Sequence, residues 1–268
     1  MSLIFSDIDG TIYGPEHKIH PELKPRIREA KKDSVMFNIA TGNGPFTSIK
    51  ELAEELGAKY LINSNGAGII DMVSGEFIHK NMILAKDANI ALSFANELKI
   101  HADWWNEDSL FCNEFVSEEA KKLIKEAMAT KGPEIQIANK IEKDIFKIEF
   151  YDLNVEKIDN LQKSLENEGF TVARMKPIHI EVTKPGVSKA HAMEIICEKH
   201  NVDISKVMSV GDSANDETML KAAGYSYAMA NAPKKVKEWA KFHTTAYNQN
   251  GVGMAIIDFL HRTKKYRQ

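Results

Sequence analysis

The spacing of apolar and polar residues predicts alternating helices and strands in the first part of the chain. A charged helix is predicted over 21–33, a strand over 35–40, a helix over 45–57 and a short buried strand over 60–62. In the second helix, apolar residues recur at i, i+3, i+4 and i+7 and therefore share one face. This βαβαβ pattern predicts a parallel sheet with helices on both faces.

The middle of the chain has a different order of predicted helices and strands. Helices are predicted over 87–98, 117–130 and 155–168. Strands are predicted over 135–137, 146–150, 171–174 and 179–182. Several of these strands alternate apolar with polar residues, which is typical of an antiparallel sheet with one solvated face. From Lys189 onward, helices and strands again alternate as in the first part of the chain. We therefore predict a core built from 1–83 and 186–268, with an α+β domain inserted at 84–185.

Composition narrows the possible classes of function. The chain has 268 residues, 43% of them hydrophobic, enough for a large core and a smaller domain. A net charge of -3 gives no electrostatic footprint for nucleic acid, and no apolar run is long enough for a membrane helix. Cys112 and Cys197 are far apart, so neither a disulfide framework nor a cysteine zinc site is indicated. We expect a cytoplasmic protein without nucleic-acid or membrane partners.

Two carboxylates mark the end of the first predicted strand. Asp7 and Asp9 directly follow the apolar run 3–5, and open α/β sheets bind ligands at such strand ends. Taken alone, the pair fits an ordinary turn equally well. A calcium-binding EF-hand loop is excluded, because Ile12 and Lys18 stand where that loop needs glycine and glutamate.

Three further signals lie elsewhere in the chain. Thr41 and Gly42 follow a predicted strand, Lys189 begins a predicted helix, and Asp212 and Asp216 follow another predicted strand. Each alone is consistent with a helix cap or a solvated side chain. Together with the first pair, we expect all of them at the strand ends of one sheet, where they converge on one crevice.

In combination these motifs resemble the haloacid dehalogenase-like superfamily, and within it the Cof-type branch. The matching segments are Asp7-Ile8-Asp9-Gly10-Thr11, Thr41-Gly42, Lys189 and Gly211-Asp212-Ser213-Ala214-Asn215-Asp216. The resemblance covers essentially the whole chain and implies a Rossmann-like parallel-sheet core with an inserted α+β cap of the C2B type. Asn43 stands where many members have Arg, as it does in some archaeal phosphoglycolate phosphatases.

The resemblance also implies an activity. Members of this kind are Mg²⁺-dependent phosphatases of small phosphorylated metabolites, such as sugar phosphates or phosphoglycolate. By resemblance, Asp7 is the nucleophile that forms an aspartyl-phosphate, and Asp9 is the general acid and base. Mg²⁺ would be held by the carboxylates of Asp7 and Asp212 and by the backbone carbonyl of Asp9.

Further roles are implied for residues around the phosphate. The residues expected to bind it are Thr41, Gly42, Lys189 and Asn215. Asp216 is expected to orient Lys189 or a metal-bound water. The cap is expected to select the substrate, and its candidate contact residues are Lys147, Arg174, Lys176 and His179.

Two alternatives use the same motifs. A phosphomutase or phosphotransferase would pass the phosphoryl group to an acceptor other than water. A non-catalytic sensor would use a phosphorylated aspartate as a regulatory switch. Asp9 argues against the sensor, because a switch gains nothing from rapid hydrolysis.

Overall fold

The computed structural model describes residues 1–114 and 134–263, so the helix predicted over 117–130 lies outside the described residues. The chain divides into two compact units. The first comprises Met1–Gly42, Lys50–Ile78 and Ser188–Gln268, and the second comprises Asn43–Ile49 and His79–Val187. The predicted domain bounds of 84 and 185 stay a prediction.

Strands and helices alternate along most of the described chain. The strands are β1 Ser2–Ser6, β2 Val35–Ala40, β3 Tyr60–Asn63, β4 Gly68–Asp71, β5 Phe77–Lys80, β6 His101–Trp105, β7 Leu110–Cys112, β8 Ile135–Ile137, β9 Lys147–Tyr151, β10 Thr171–Lys176, β11 His179–Thr183, β12 Met208–Gly211, β13 Tyr225–Ala228 and β14 Phe242–His243. The helices are α1 Leu23–Lys32, α2 Thr47–Glu55, α3 Ala85–Glu97, α4 Val155–Asn167, α5 Lys189–Lys199, α6 Glu217–Ala222, α7 Lys234–Lys237 and α8 Gly251–Thr263.

The sheet of the first unit has eight strands in the order β14-β13-β12-β1-β2-β3-β4-β5. Strand β1 pairs in parallel with both β12 and β2, and β3 pairs antiparallel with β4. The carboxyl ends of β1, β2 and β12 therefore lie at the same edge of the sheet. This parallel-rich sheet confirms the predicted α/β fold class.

The middle of this sheet is buried because its sequence is apolar on both faces. Leu3, Ile4 and Phe5 of β1 are fully buried, as expected for a central parallel strand covered on both sides. Leu3 and Phe5 pack with Met193 of α5 and Met219 of α6. The apolar sides of these two helices therefore hold them against the sheet.

The second unit contains a six-stranded sheet in the order β10-β11-β9-β6-β7-β8. All its pairs are antiparallel except β7 with β8. Helices α3 and α4 contribute to an apolar core with one face of this sheet, whose residues include Ile148, Phe150, Ile180 and Val182. The prediction of an antiparallel sheet is thus confirmed.

The prediction that the other face is solvated is wrong at the centre of this sheet. Lys147 on that face is 1% exposed and Glu149 is 8% exposed. Their charges are compatible with burial because they form ion pairs with each other and with neighbouring strands.

Among residues 1–114 and 134–263, the helices are too short or too polar to cross a membrane.

Candidate active site

Asp7 and Asp212 are brought together because their strands are neighbours. The N–H of Asp7 donates to the carbonyl of Val210 over 3.0 Å, which continues the pairing of β1 with β12. Gly10 follows at φ +81°, and a Cβ there would lie 2.2 Å from Oδ2 of Asp212. A residue without a side chain is therefore required for the turn to approach this carboxylate. The hydroxyl of Thr11 donates to Oδ1 of Asp212 over 2.9 Å.

Asp9 differs from Asp7 in its exposure. Asp7 is 4% exposed, whereas Asp9 lies on the exposed turn and forms a backbone bridge with Tyr13. Two carboxylates separated by one residue thus occupy different environments at the same strand end. This difference suits them to different chemical roles.

Lys189 is the buried cation of the site. Its side chain is completely buried, and Nζ donates to Oδ1 of Asp7 and to Oδ1 of Asp216, each over 2.7 Å. A positive charge at the first residue of a helix is disfavoured by the helix dipole. The two carboxylates offset this effect by pairing with the ammonium group.

The expectation that Lys189 lies at a strand end of the same sheet is wrong. It is the first residue of α5, and the preceding strand β11 belongs to the six-stranded sheet. Its position depends on Gly66, which has φ +107° and whose Cβ would lie 2.2 Å from the carbonyl oxygen of Ser188. The missing side chain lets the start of α5 approach the turn after β3.

Asp216 links this lysine to the loop after β12. Its Oδ1 binds Lys189, while its Oδ2 accepts from the N–H groups of Asp212 and Ser213, each over 2.9 Å. Both oxygens are therefore engaged, and the carboxylate fixes the loop that carries Asp212. This arrangement fits the expected orienting role, which stays a prediction.

The carboxylates repel one another strongly. Burial, followed by the negative charge of Asp216, raises the pKa of Asp7 well above its ordinary value, against the opposite effect of Lys189. Burial and Asp216 also raise the pKa of Asp212 to about 7. Burial alone would lower the pKa of Lys189, but Asp216 and Asp7 raise it. The site therefore carries more negative charge than one ammonium group neutralises.

This charge imbalance and the donor set fit a bound cation. One carboxylate oxygen each from Asp7, Asp212 and Asp216 lie within 4.8 Å of one another. Lys189 binds Asp7 through Oδ1 and Thr11 binds Asp212 through Oδ1, which leaves Oδ2 of both aspartates available as ligands. Hard oxygen donors of this kind suit Mg²⁺.

A second group of polar residues gathers beside these carboxylates. Thr41 follows β2, is 1% exposed and accepts a hydrogen bond at its carbonyl from the N–H of Asn65. A Cβ at Gly42 would lie 2.9 Å from Oδ1 of Asn65 and 3.0 Å from Nδ2 of Asn215. Asn215 in turn donates to Asn65 over 3.2 Å. The predicted residues Thr41, Gly42 and Asn215 thus come together.

Sequence reasoning did not assign Asn65 or Thr11 to the site. Asn65 has φ 57°, a left-handed conformation that Asn adopts more readily than most residues. The Asn65-Gly66 pair after a buried strand was the available signal. Thr11 is part of the first matching motif, but its hydrogen bond to Asp212, in a loop distant in sequence, is visible only in the structure.

The four cap candidates do not form one group. Lys147 and His179 lie on the same face of the six-stranded sheet, and both contact Glu149 and Glu181. Arg174 is paired with Ile180, on the opposite face, and its guanidinium contacts Asp159 and Gln162 of α4. Lys176 is exposed and its carbonyl accepts from Arg174. The two glutamates were not predicted.

Comparisons with known proteins agree with this geometry. A family profile described as haloacid dehalogenase-like hydrolase matches residues 4–256. A 5-amino-6-(5-phospho-D-ribitylamino)uracil phosphatase of Bacillus subtilis, YcsE, is 31% identical over 96% of this chain and 94% of its own length. A phosphoglycolate phosphatase of Methanothermobacter thermautotrophicus is 25% identical over 97% of this chain and 99% of its own.

The fold has similar solved structures. The phosphatase BT1666 of Bacteroides thetaiotaomicron, from the haloalkanoate (HAD) enzyme superfamily, matches with a TM-score of 0.82. It is 26% identical and the match covers 97% of this chain and 95% of BT1666.

Proposed function

Since the chain belongs to the haloacid dehalogenase-like hydrolases, as its motifs indicated, we propose that it is a Mg²⁺-dependent phosphatase of a small phosphate monoester. One observation carries the proposal: Asp7, Asp212 and Asp216 converge within 4.8 Å around the buried ammonium of Lys189. Such a group combines a carboxylate nucleophile, a cation site and a fixed positive charge.

The first half of the reaction transfers the phosphoryl group to the protein. A carboxylate oxygen of Asp7 attacks phosphorus, and the bond between phosphorus and the ester oxygen breaks. Asp9 donates its proton to the departing oxygen, which leaves as an alcohol. The products of this half are an aspartyl-phosphate at Asp7 and an ionised Asp9.

The second half releases phosphate. Asp9 accepts a proton from a water molecule as the water oxygen attacks phosphorus, and the bond to the Asp7 oxygen breaks. Inorganic phosphate leaves, while Asp7 returns to its carboxylate form and Asp9 to its acid form. Because Asp9 lies on the exposed turn, it can exchange protons with both the alcohol and the water.

The remaining residues of the site would bind the metal ion and the phosphoryl oxygens. Asp7, Asp212 and the backbone carbonyl of Asp9 would hold Mg²⁺, whose charge lets an anionic nucleophile meet an anionic ester. Lys189, the hydroxyl of Thr41, the N–H of Gly42 and the amide of Asn215 bind the phosphoryl oxygens as charge redistributes in the transition state.

A phosphate-release screen tests the proposal. The panel contains sugar phosphates, phosphoglycolate, 5-amino-6-(5-phospho-D-ribitylamino)uracil, pyridoxal phosphate, nucleotides and a chromogenic aryl phosphate. We expect release of inorganic phosphate from at least one ester with Mg²⁺, loss of that activity in EDTA, and recovery when Mg²⁺ is restored. Rates at the level of buffer on every ester would contradict the proposal. Consumption of an ester without release of phosphate would indicate transfer to another acceptor instead.

The proton-transfer role of Asp9 has a separate signature. For Asp9→Ala we expect turnover of an alkyl phosphate to fall by about 10² to 10⁴-fold, the usual contribution of general acid–base catalysis. An aryl phosphate needs little protonation of its leaving group. It should therefore give a burst of about one equivalent of phenol, followed by slow hydrolysis of the aspartyl-phosphate.

Stopped-flow absorbance measures this burst, and the exposed Asp33→Ala serves as the control with unchanged kinetics. Steady turnover of alkyl and aryl esters by Asp9→Ala at the rates of the unsubstituted protein would rule out this role.

A further inference from the structure

A second cluster of ionisable side chains lies on the six-stranded sheet of the other unit. Strands β6, β9 and β11 are neighbours, and their alternate residues point to the face opposite α3 and α4. We call six of these residues the charged cluster: His101, Asp103, Lys147, Glu149, His179 and Glu181. Their exposures range from 1% for Lys147 to 9% for His179. The proposed phosphatase mechanism uses none of them.

Both glutamates contact Lys147 and His179, and Oε2 of Glu149 also accepts a hydrogen bond from the hydroxyl of Tyr151. Nζ of Lys147 lies 2.5 Å from Oε1 of Glu149 and 3.1 Å from Oε2 of Glu181. The other oxygen of each glutamate faces Nε2 of His179, at 3.4 Å for Glu149 and 3.7 Å for Glu181. Lysine and histidine thus approach the same carboxylates from different sides.

The imidazole of His179 has a fixed orientation, but its Nε2 makes no hydrogen bond to the described residues. Its ring stacks on that of Tyr151 with the centroids 4.0 Å apart, which fixes its orientation. Although Nε2 is buried and lies near two carboxylates, it has no hydrogen-bond partner among residues 1–114 and 134–263. A buried nitrogen with this environment is costly unless a further group binds it.

The distances from Nε2 of His179 to the two carboxylates are close to those between ligands of one metal ion. Nitrogen and oxygen ligands lie about 2.0 to 2.2 Å from tetrahedral Zn²⁺, so they lie about 3.3 to 3.6 Å from one another. The distances of 3.4 and 3.7 Å from Nε2 to the two carboxylate oxygens are close to this range. All three residues offer one ligand atom within 4.8 Å of the others.

The charge of the cluster also favours a divalent cation. Asp103, Glu149 and Glu181 are opposed by the single ammonium of Lys147, which leaves two negative charges uncompensated when both histidines are neutral. One divalent ion would neutralise the cluster.

We propose that Glu149, His179 and Glu181 bind one Zn²⁺ ion on the six-stranded sheet, separate from the aspartate site of the first unit. A neutral imidazole with two carboxylates is a donor set typical of Zn²⁺, whereas Mg²⁺ prefers oxygen ligands alone. Three protein ligands leave one position of a tetrahedron for water or a ligand oxygen. Lys147 keeps the opposite oxygen of each glutamate in place.

Metal analysis after equilibrium dialysis tests this site in the full chain, stripped of metal and exposed to micromolar Zn²⁺. Because the aspartate site also takes divalent ions, all proteins carry Asp212→Asn, which weakens that site. We expect one fewer equivalent of Zn²⁺ in His179→Gln than in its parent. His191→Gln is the matched control, because His191 is exposed on α5, where its Nδ1 lies 3.7 Å from Oε2 of Glu194. It should bind as much Zn²⁺ as the parent.

Thermal unfolding provides a second readout. Zn²⁺ should raise the melting temperature of the parent and of His191→Gln, but not that of His179→Gln or Glu181→Gln, since only a folded site binds the ion. Co²⁺ should give the visible absorption of a tetrahedral nitrogen–oxygen site in the unsubstituted chain, which needs no variant to fold.

Equal Zn²⁺ content in His179→Gln and its parent would overturn the proposal, as would Co²⁺ spectra typical of six oxygen ligands alone. Either result would leave the Mg²⁺-dependent release of phosphate untouched. The zinc site and the proposed function can therefore fail independently.

Discussion

Replacing Asp7 by asparagine is expected to abolish phosphate release while the protein stays folded. An amide cannot form the aspartyl-phosphate, so we expect turnover to fall by about 10⁴-fold or more, as for other nucleophile deletions. Stability should not fall, because burial and neighbouring carboxylates already disfavour the ionised side chain at this position. Lys189 retains Asp216 as an ion-pair partner at 2.7 Å.

Steady-state assays and thermal unfolding measure the two effects of Asp7→Asn. The control is Asp33→Asn, which removes the same charge from an exposed position after α1 and should leave activity unchanged. Activity of Asp7→Asn near that of the unsubstituted protein would exclude the nucleophile role. Loss of both activity and cooperative unfolding would instead show that the carboxylate is needed for the fold.

Replacing Lys189 by methionine is expected to impair both stability and activity. The side chains have similar lengths, but methionine leaves Asp7 and Asp216 buried without their cation. Removing one partner of a buried ion pair costs about 3 to 5 kcal/mol, and Lys189 is fully buried between two such partners. Urea unfolding in EDTA should therefore show a lower free energy of unfolding, and phosphate release should be lost under native conditions.

Lys199→Met is the matched control, because Lys199 is an exposed residue in the last turn of the same helix. Its free energy of unfolding should stay within about 0.5 kcal/mol of the unsubstituted value. Adding Asp216→Asn to Lys189→Met should recover part of the lost stability, since it removes one stranded carboxylate. Unchanged stability of Lys189→Met, or additive losses in the double variant, would contradict the account of a buried ion-pair network.

The meeting of Asp7 with Asp212 could be predicted from local sequence, because both residues follow strands. Asp7 follows an apolar run and Asp212 follows another. In a parallel sheet, residues after neighbouring strands must meet at one edge. This rule does not predict the position of Lys189. It reaches the site from a helix start that depends on the close approach of Gly66 to Ser188, a contact that no local pattern encodes.

The cap candidates show the limit of reasoning by residue type. Lys147 and His179 were chosen as possible donors, but their actual partners, Glu149 and Glu181, lie on the same and adjacent strands. Arg174 was chosen for the same reason, yet its guanidinium contacts α4 on the opposite face. The alternating strands predicted a polar face, but not that its charges would be buried.

The sequence by itself determined the family, the α/β fold class and the residues that carry the proposed phosphatase chemistry, because hydrophobic periodicity and strand-end motifs are local properties of the chain. Only the tertiary structure decided that Lys189 joins Asp7 to Asp216, that Asn65 meets Asn215, and that His179 faces two glutamates. Most of these contacts join residues far apart in sequence, and the energies of all of them depend on distance and burial, which sequence spacing does not specify.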